Sequence, residues 1–341
     1  MKILIDIKHP AQLNLFKGLA RELAAEKWEV TVCYLNRGKL PKIIAAEYAG
    51  FHTIPVGSSN GSKWSIIWNG NIKRAWTFLH LIKKNRYDIC IAVSSVPLAL
   101  ASKMFSTPVI QFNDDPERRQ LNYINARLSN QLFFPPIVQK NNKTSTFNCL
   151  KEWSYLSPKR FQPDEKVLTR YALSPYEYVF MREVSNKSFN YYSQQNAIIS
   201  GFSHKLKGSA KVVLSLEDKS IAGTFPTNWT ILEEPVEDIH SLIYYSKLVV
   251  SSGDSMAREG AMLGVPSIYC GFREMKANEI LINMGILKHL PGQQAVPRIN
   301  QIMDQVCSQR EKLRIRNGLM ENWDDMIVFM KEQINHYKKV N

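Results

Sequence analysis

The chain has 341 residues, enough for two domains of ordinary size, with 45% hydrophobic and 22% charged residues, the balance of a globular protein. No run of 18 or more apolar residues is present, which excludes a membrane-spanning helix, and the opening MKILIDIKHP reads as a buried strand without the features of a signal peptide. Five scattered cysteines (Cys33, Cys90, Cys149, Cys270, Cys307) without CxxC spacing argue against a disulfide framework and a zinc site and fit a cytoplasmic protein, while the net charge of +14 points to an anionic partner.

In chain order, short apolar runs alternate with amphipathic segments, the rhythm of parallel sheets wrapped by helices. Strands are predicted at Lys2–Ile7, Glu29–Tyr34, His52–Pro55, Ile89–Val93 and Pro108–Phe112, with a short closing segment near Phe133–Val138. Helices are predicted over Leu13–Glu26, with Leu15, Leu19 and Leu23 on one face, and over Asn71–Lys84. Pro158, Pro163 and Pro175 break the stretch from Tyr155 to Pro175, which reads as a linker.

A second series follows, with strands at Tyr178–Arg182, Ala197–Ile199, Lys211–Leu216, Trp229–Leu232, Leu248–Ser251 and Pro266–Tyr269. Its helices fall around Val236–Ser246, Ser255–Leu263 and Lys276–Met284. Asn300–Tyr337 is helical in pattern, with Gly318 as the expected break. The fold expected is α/β, two doubly wound Rossmann-like domains: 1–160, 161–320, and a terminal helix over 321–341 free to cross back to the first.

The charge divides unevenly along that plan. Residues 1–160 hold 23 Lys and Arg against 10 Asp and Glu; residues 161–341 hold 21 against 20. The first half is therefore expected to face something anionic, such as a membrane surface, a lipid phosphate or an acidic glycan; plain solubility is the bland alternative. Within it, Lys63–Arg86 mixes Trp64, Trp68, Trp76 and Phe78 with Lys63, Lys73, Arg74, Lys83, Lys84 and Arg86, a composition suited to the lipid headgroup zone. The alternative is a helix burying its tryptophans. No nucleic-acid-binding motif is recognisable.

The most informative stretch is Leu248–Ile268, where an apolar strand ends in Ser251-Ser252-Gly253 and a helix starts near Ser255. Ligands of open α/β sheets bind at strand carboxyl ends, and a helix N-terminus there suits a diphosphate. Ser252, Gly253, Asp254, Ser255 and Met256 are the candidate phosphate residues. Glu259, four residues beyond Ser255 on the same helical face, is placed to accept hydrogen bonds from ribose hydroxyls. A capped core helix is the competing reading, with Asp254 as its N-cap. Arg182, at the end of the second half's first strand, is a candidate for phosphate; its alternative is an ion pair with Glu183 or a neighbour. Lys205 and Arg273 read as solvated.

In the first half, His9 follows the first strand, while Asp114, Asp115 and Glu117 follow the strand ending at Phe112. Asp115, Glu117 and His9 are the candidate acid–base groups; a helix-start cluster is the competing reading of the acids, and Pro116 favours it.

The Ser255 segment resembles the donor-site helix of GT-B proteins, among them the transferase adding GlcNAc in peptidoglycan assembly and the UDP-GlcNAc 2-epimerases. The chain is more closely similar to the family known as domain of unknown function 354, also GT-B-like. The similarity lies in four places: the MKILID opening with Pro10 and Phe16; Asp115-Pro-Glu117; Lys151-Glu-Trp-Ser-Tyr-Leu-Ser-Pro-Lys-Arg-Phe-Gln-Pro-Asp164; and Ser255-Met-Ala-Arg-Glu259 with Leu263-Gly-Val-Pro266.

The resemblance implies a GT-B fold with two domains facing a cleft and a nucleotide-sugar-dependent role in surface polysaccharide assembly. It also singles out Glu152. Where the family has histidines, this chain has Gln12, Asn14 and Arg118, and Phe189-Asn-Tyr-Tyr stands where a His-Asp is usual.

The expected activity is a metal-independent glycosyltransferase using a nucleotide sugar, UDP-linked, as substrate. No cofactor is expected, the acceptor is a glycan or polyprenyl-linked, and the protein is placed peripherally at the inner face of the membrane. A nucleotide-sugar 2-epimerase or hydrolase, and a non-catalytic binding protein of a polysaccharide assembly complex, stand as alternatives.

Overall fold

Parallel strands buried on both faces read as near-continuous apolar runs, and in Lys2–Ile7 (β1) five consecutive residues are buried. The computed structural model describes residues 1–58, 71–185, 197–207, 211–233, 236, 238–306 and 309–338. The chain divides into two units, Met1–Arg160 with Trp323–Asn341, and Phe161–Asn322.

In the first unit β1 is joined by Glu29–Asn36 (β2), His52–Ser58 (β3), Ile89–Ala92 (β4), Val109–Phe112 (β5), Gln131–Phe134 (β6) and Thr144–Thr146 (β7). The sheet has seven parallel strands in the order β3-β2-β1-β4-β5-β6-β7. The strand order reverses between β1 and β4, which makes the crest above them the topological switch point. Helices Lys73–Asn85, Val96–Met104 and Arg119–Leu128 pack side by side, and the first two close a core around Leu4, Phe78, Ile82, Cys90 and Leu98. Helix Met326–Tyr337 packs beside Pro10–Ala25. Its Phe329 meets Phe133 edge-on at 5.4 Å.

The second unit repeats the plan with Tyr178–Glu183 (β8), Lys211–Leu216 (β9), Thr230–Ile231 (β10), Leu248–Ser251 (β11), Ser267–Tyr269 (β12) and Leu287–His289 (β13). All six are parallel, in the order β10-β9-β8-β11-β12-β13, with the switch point between β8 and β11. Val179, Met181, Leu214, Val250 and Ile268 form the centre of its core.

Several expectations are corrected. Ala197–Ile199 is a turn entering the short helix Ser200–Ser203, with Ala197 in the left-handed region at φ 57, because its amides turn toward the Glu183 carboxylate instead of a neighbouring strand. The terminal helical pattern is three helices, Ala295–Met303, Gln309–Asn322 and Met326–Tyr337. Gly318 lies inside the second; the pattern is interrupted after Met303 and again at Asp325, which caps the third by accepting from Ile327 and Val328 N–H groups. The linker stretch contains the 3-10 helix Glu165–Tyr171, capped by Asp164. Strands β7 and β13 were not expected. Trp64, Trp68, Lys63, Cys307 and Phe189–Tyr192 lie outside the described residues.

Candidate functional site

Strand β11 ends with Ser251 paired to Arg182 on β8 and Tyr269 on β12, so the next two residues emerge at the sheet's crest. Helix Asp254–Met262 starts immediately, with Gly253 as N-cap and no side-chain cap. Asp254 is therefore the first helical residue and not the cap. The N–H groups of a first helical turn carry the partial positive end of the helix dipole. A carboxylate here would repel a phosphate, but Asp254 is almost wholly buried and turned aside. Its Oδ2 lies 3.5 Å from Arg258 and 3.7 Å from Arg273, so two guanidinium groups offset it.

Arg258 is fully buried and donates to Asn278 Oδ1 at 3.0 Å and to Ser255 Oγ at 3.4 Å, tying this helix to Lys276–Asn283. Ser255 and Met256 are half-buried in the first turn. Glycine is required nearby for close approach: a Cβ on Gly271 would lie 2.5 Å from Ser252 O.

Ser252 faces the fold. Its Oγ accepts from Val184 N–H at 2.9 Å and donates to Glu183 Oε1 at 2.6 Å, fastening the end of β8 to the end of β11. Glu183 also accepts from Ile199 N–H at 2.6 Å. Burial pushes its carboxyl above the ordinary value, against the opposing pull of Ser252 and the amides of Ile198, Ile199 and Ser200. Ser251 Oγ donates to Gly253 O at 2.6 Å and accepts from Gly253 N–H at 3.1 Å, which sets the N-cap geometry.

Arg182 is partly exposed and points toward β9. It donates to Ser215 Oγ at 2.7 Å and lies 3.7 Å from Glu217, so its ion-pair partner is Glu217 and not Glu183. Glu259 is nearly buried, and its Oε2 lies 3.5 Å from His240 Nε2 on helix Ile239–Tyr244. His240 and Glu217 are absent from the sequence-based candidates, and Glu183 enters there only as a possible partner of Arg182. Strand-end position could have marked Glu183 and Glu217, whereas nothing in the spacing links His240 to Glu259. Arg273, read as solvated, faces Asp254.

In the first unit, His9 caps helix Pro10–Ala25, its Nδ1 accepting from Ala11 N–H at 3.3 Å, and Gln12 Oε1 accepts from Lys8 N–H at 2.8 Å. Asp114 pairs with Lys151 at 2.6 Å and Asp115 with Arg118 at 2.9 Å, while Glu117 is exposed. The helix begins only at Arg119, so these acids sit in the loop before it and not in its first turn. Strand β4 separates β1 from β5, which puts the loops carrying His9 and Asp115 about 10 Å apart at the backbone. Glu152 is buried as the N-cap of Trp153–Leu156.

The same crest holds Lys8, absent from the sequence-based candidates, whose Nζ donates to Ser94 O at 2.6 Å. Burial pulls its ammonium down to about 8; Asp6 opposes this and Arg74 and Arg118 add to it. Among the described residues no group of three or more His, Cys, Asp or Glu side chains is placed to hold a metal ion.

The model for the family "Protein of unknown function (DUF354)" matches residues 1–339 of this chain, whose second sheet has six parallel strands with a helix starting at the switch point. The chain belongs to the DUF354 family. Uncharacterized protein MJ0665 of Methanocaldococcus jannaschii is 22% identical, covering 99% of each chain. Among solved structures, the UDP-GlcNAc 2-epimerase of Neisseria meningitidis bound to UDP-GlcNAc is similar with a TM-score of 0.75 at 12% identity, covering 98% of this chain and 100% of the other. Glycosyltransferase VinC in complex with dTDP is similar with a TM-score of 0.67 at 11% identity, covering 98% and 99%. This DUF354 protein thus has the GT-B fold.

Proposed function

We propose that this DUF354 protein is a glycosyltransferase that moves a sugar from a nucleotide donor, UDP-linked, to a glycan or polyprenyl-linked acceptor in surface polysaccharide or glycolipid synthesis. It would act in the cytoplasm, at the inner face of the membrane. The observation that carries the reading is the start of helix Asp254–Met262: it opens at the switch-point crest without a side-chain cap, and its first-turn carboxylate, Asp254, is offset by Arg258 and Arg273. The proteins of similar fold that hold a nucleotide or nucleotide sugar support the choice of donor.

In the reaction proposed, the bond from the anomeric carbon to the diphosphate oxygen breaks as a bond to an acceptor oxygen forms. The first-turn amides stabilise the charge gathering on the departing diphosphate. Glu259 accepts from the ribose hydroxyls. The acceptor proton passes to a carboxylate of the first unit, Asp115 or Glu117, with His9 as the other candidate. Positive charge supplied by amides and guanidinium groups needs no bound cation, so turnover is expected to survive EDTA.

A thermal-shift panel of nucleotides and nucleotide sugars tests the donor. One base series should raise the melting point selectively; saturation at about 100 times Kd contributes about 2.7 kcal/mol. Ser255→Glu is the sharpest variant, because an acid in a first helical turn favours the helix but repels a phosphate. It should melt at or above the parent temperature and lose the nucleotide shift. Retention of the shift would defeat the proposed site, and sugar isomers or free nucleotide formed without any acceptor would replace transfer by epimerisation or hydrolysis.

A further inference from the structure

Three adjacent helices of the first unit share a composition that their burial pattern makes informative. Helix Lys73–Asn85 buries Arg74, Phe78 and Ile82 and exposes Trp76, which keeps 71% of its surface. Val96–Met104 buries Pro97, Leu98, Ala99, Ala101 and Ser102 and exposes Leu100 and, at 65%, Met104. Arg119–Leu128 buries Asn125 and exposes Tyr123 and Ile124. Each helix therefore satisfies the sheet with one side and leaves large apolar groups on the other.

The charges on that outer side are all of one sign. Lys73, Lys83, Lys84, Lys103, Arg119 and Arg127 are exposed, and none of the three helices contains an aspartate or glutamate. Arg74, counted with the basic residues on sequence grounds, is not among them: it is buried and paired with Asp6. Ordinary surfaces intersperse both signs and avoid clustered apolar groups. Lipid-facing amphipathic surfaces do the opposite, setting basic residues beside Trp, Leu and Ile at the headgroup boundary.

We propose that the outer side of this three-helix layer docks on an anionic phospholipid bilayer. The basic residues meet the headgroup charge while Trp76, Leu100, Met104 and Ile124 enter the boundary with the acyl chains. A polyanion such as nucleic acid would satisfy the charges but leaves aliphatic Leu100, Met104 and Ile124 without a partner. No described helix is long and apolar enough to cross a membrane, so the attachment is peripheral. The surface belongs to the first unit and its occupancy requires no turnover by the second.

The test is cosedimentation of the full chain with phosphatidylcholine vesicles, with and without phosphatidylglycerol, in the absence of nucleotide. Binding should require phosphatidylglycerol and weaken with salt. Each basic residue near an anionic surface contributes about fivefold in partitioning, so Lys83→Gln/Lys84→Gln should weaken binding by more than about tenfold. Trp76→Ser should weaken it also at low salt. The control, Lys39→Gln/Lys42→Gln, removes equal charge at helix Leu40–Glu47, which packs beside Pro10–Ala25 and not in this layer. All these side chains are exposed, and unchanged melting temperatures would show the variants folded. Equal loss in the control, no preference for phosphatidylglycerol vesicles, or tight binding to nucleic acid in place of vesicles would overturn the proposal. A failed nucleotide panel leaves this result untouched, and a failed vesicle assay leaves the donor site untouched.

Discussion

Lys8 carries its charge half-buried at the crest of β1, where its Nζ donates to Ser94 O. Its ammonium is pulled from 10.5 down to about 8, so between those values the unfolded chain binds more protons than the folded one. Stability from this group therefore rises with pH across that window. Lys8→Met should be more stable than the parent near pH 7, by at most about 3 kcal/mol after allowing for the lost hydrogen bond. The advantage should shrink as pH climbs from 8 toward 10.5, as read from urea unfolding at several pH values. A difference independent of pH would show that packing, and not the buried charge, sets it. Sequence alone could not single out Lys8, because its environment comes from Ser94, Arg74 and Arg118, brought together only by the sheet. Asp254 is the same lesson: its carboxylate reads as an obstacle to phosphate until Arg258 and Arg273 are seen beside it.

Helix Asp254–Met262 can present its N-terminus only if its other end is fixed. Gly264, at φ +77, lies against the backbone of Lys312, and a Cβ there would sit 2.5 Å from Lys312 O. Lys312 is itself buried, donating to Tyr244 O at 2.6 Å and Ser246 O at 2.9 Å with its ammonium over the Tyr176 ring. Gly264→Ala meets both a left-handed backbone and a backbone wall, and should cost about 3 kcal/mol or more. Gly318→Ala is the contrast, since nothing lies within 4 Å of a Cβ there and the residue is mid-helix. It should stabilise by up to about 1 kcal/mol. Urea midpoints of the two variants should move in opposite directions. The pair also shows what was legible: the mainly apolar runs at Lys2–Ile7 and Leu248–Ser251 announced their strands, and the Ser-Ser-Gly turn marked the candidate site. Three-residue strands such as Thr144–Thr146 and Leu287–His289 have too few positions for a period to register. Gly318 reads as a break by residue type, but one of the two real interruptions depends on Asp325 using its side chain as a cap.

At the scale of the whole chain, the first unit is completed by its last residues. Met326, Ile327, Met330 and Ile334 are fully buried in that unit, and a Cβ on Gly18 would touch Ile327, so the terminal helix lies close against Pro10–Ala25. Arg160 and Lys331 both pair with Glu22, and Trp323 meets Trp153 edge-on at 5.4 Å. Exposing a buried apolar side chain costs about 1.5–3 kcal/mol, so losing four approaches the whole stability of a typical domain. A chain ending at Asn322 should therefore lose the folded first unit, while residues 161–322 keep their own sheet and core. Limited proteolysis should remove the first 160 residues and leave a resistant fragment that still shows the nucleotide-dependent thermal shift and no longer sediments with anionic vesicles. A truncated chain resistant throughout would mean that the seven-stranded sheet holds without its last helix. Loss of both units together would mean that the second depends on the first for folding, which its self-contained core of Val179, Leu214, Val250 and Ile268 argues against.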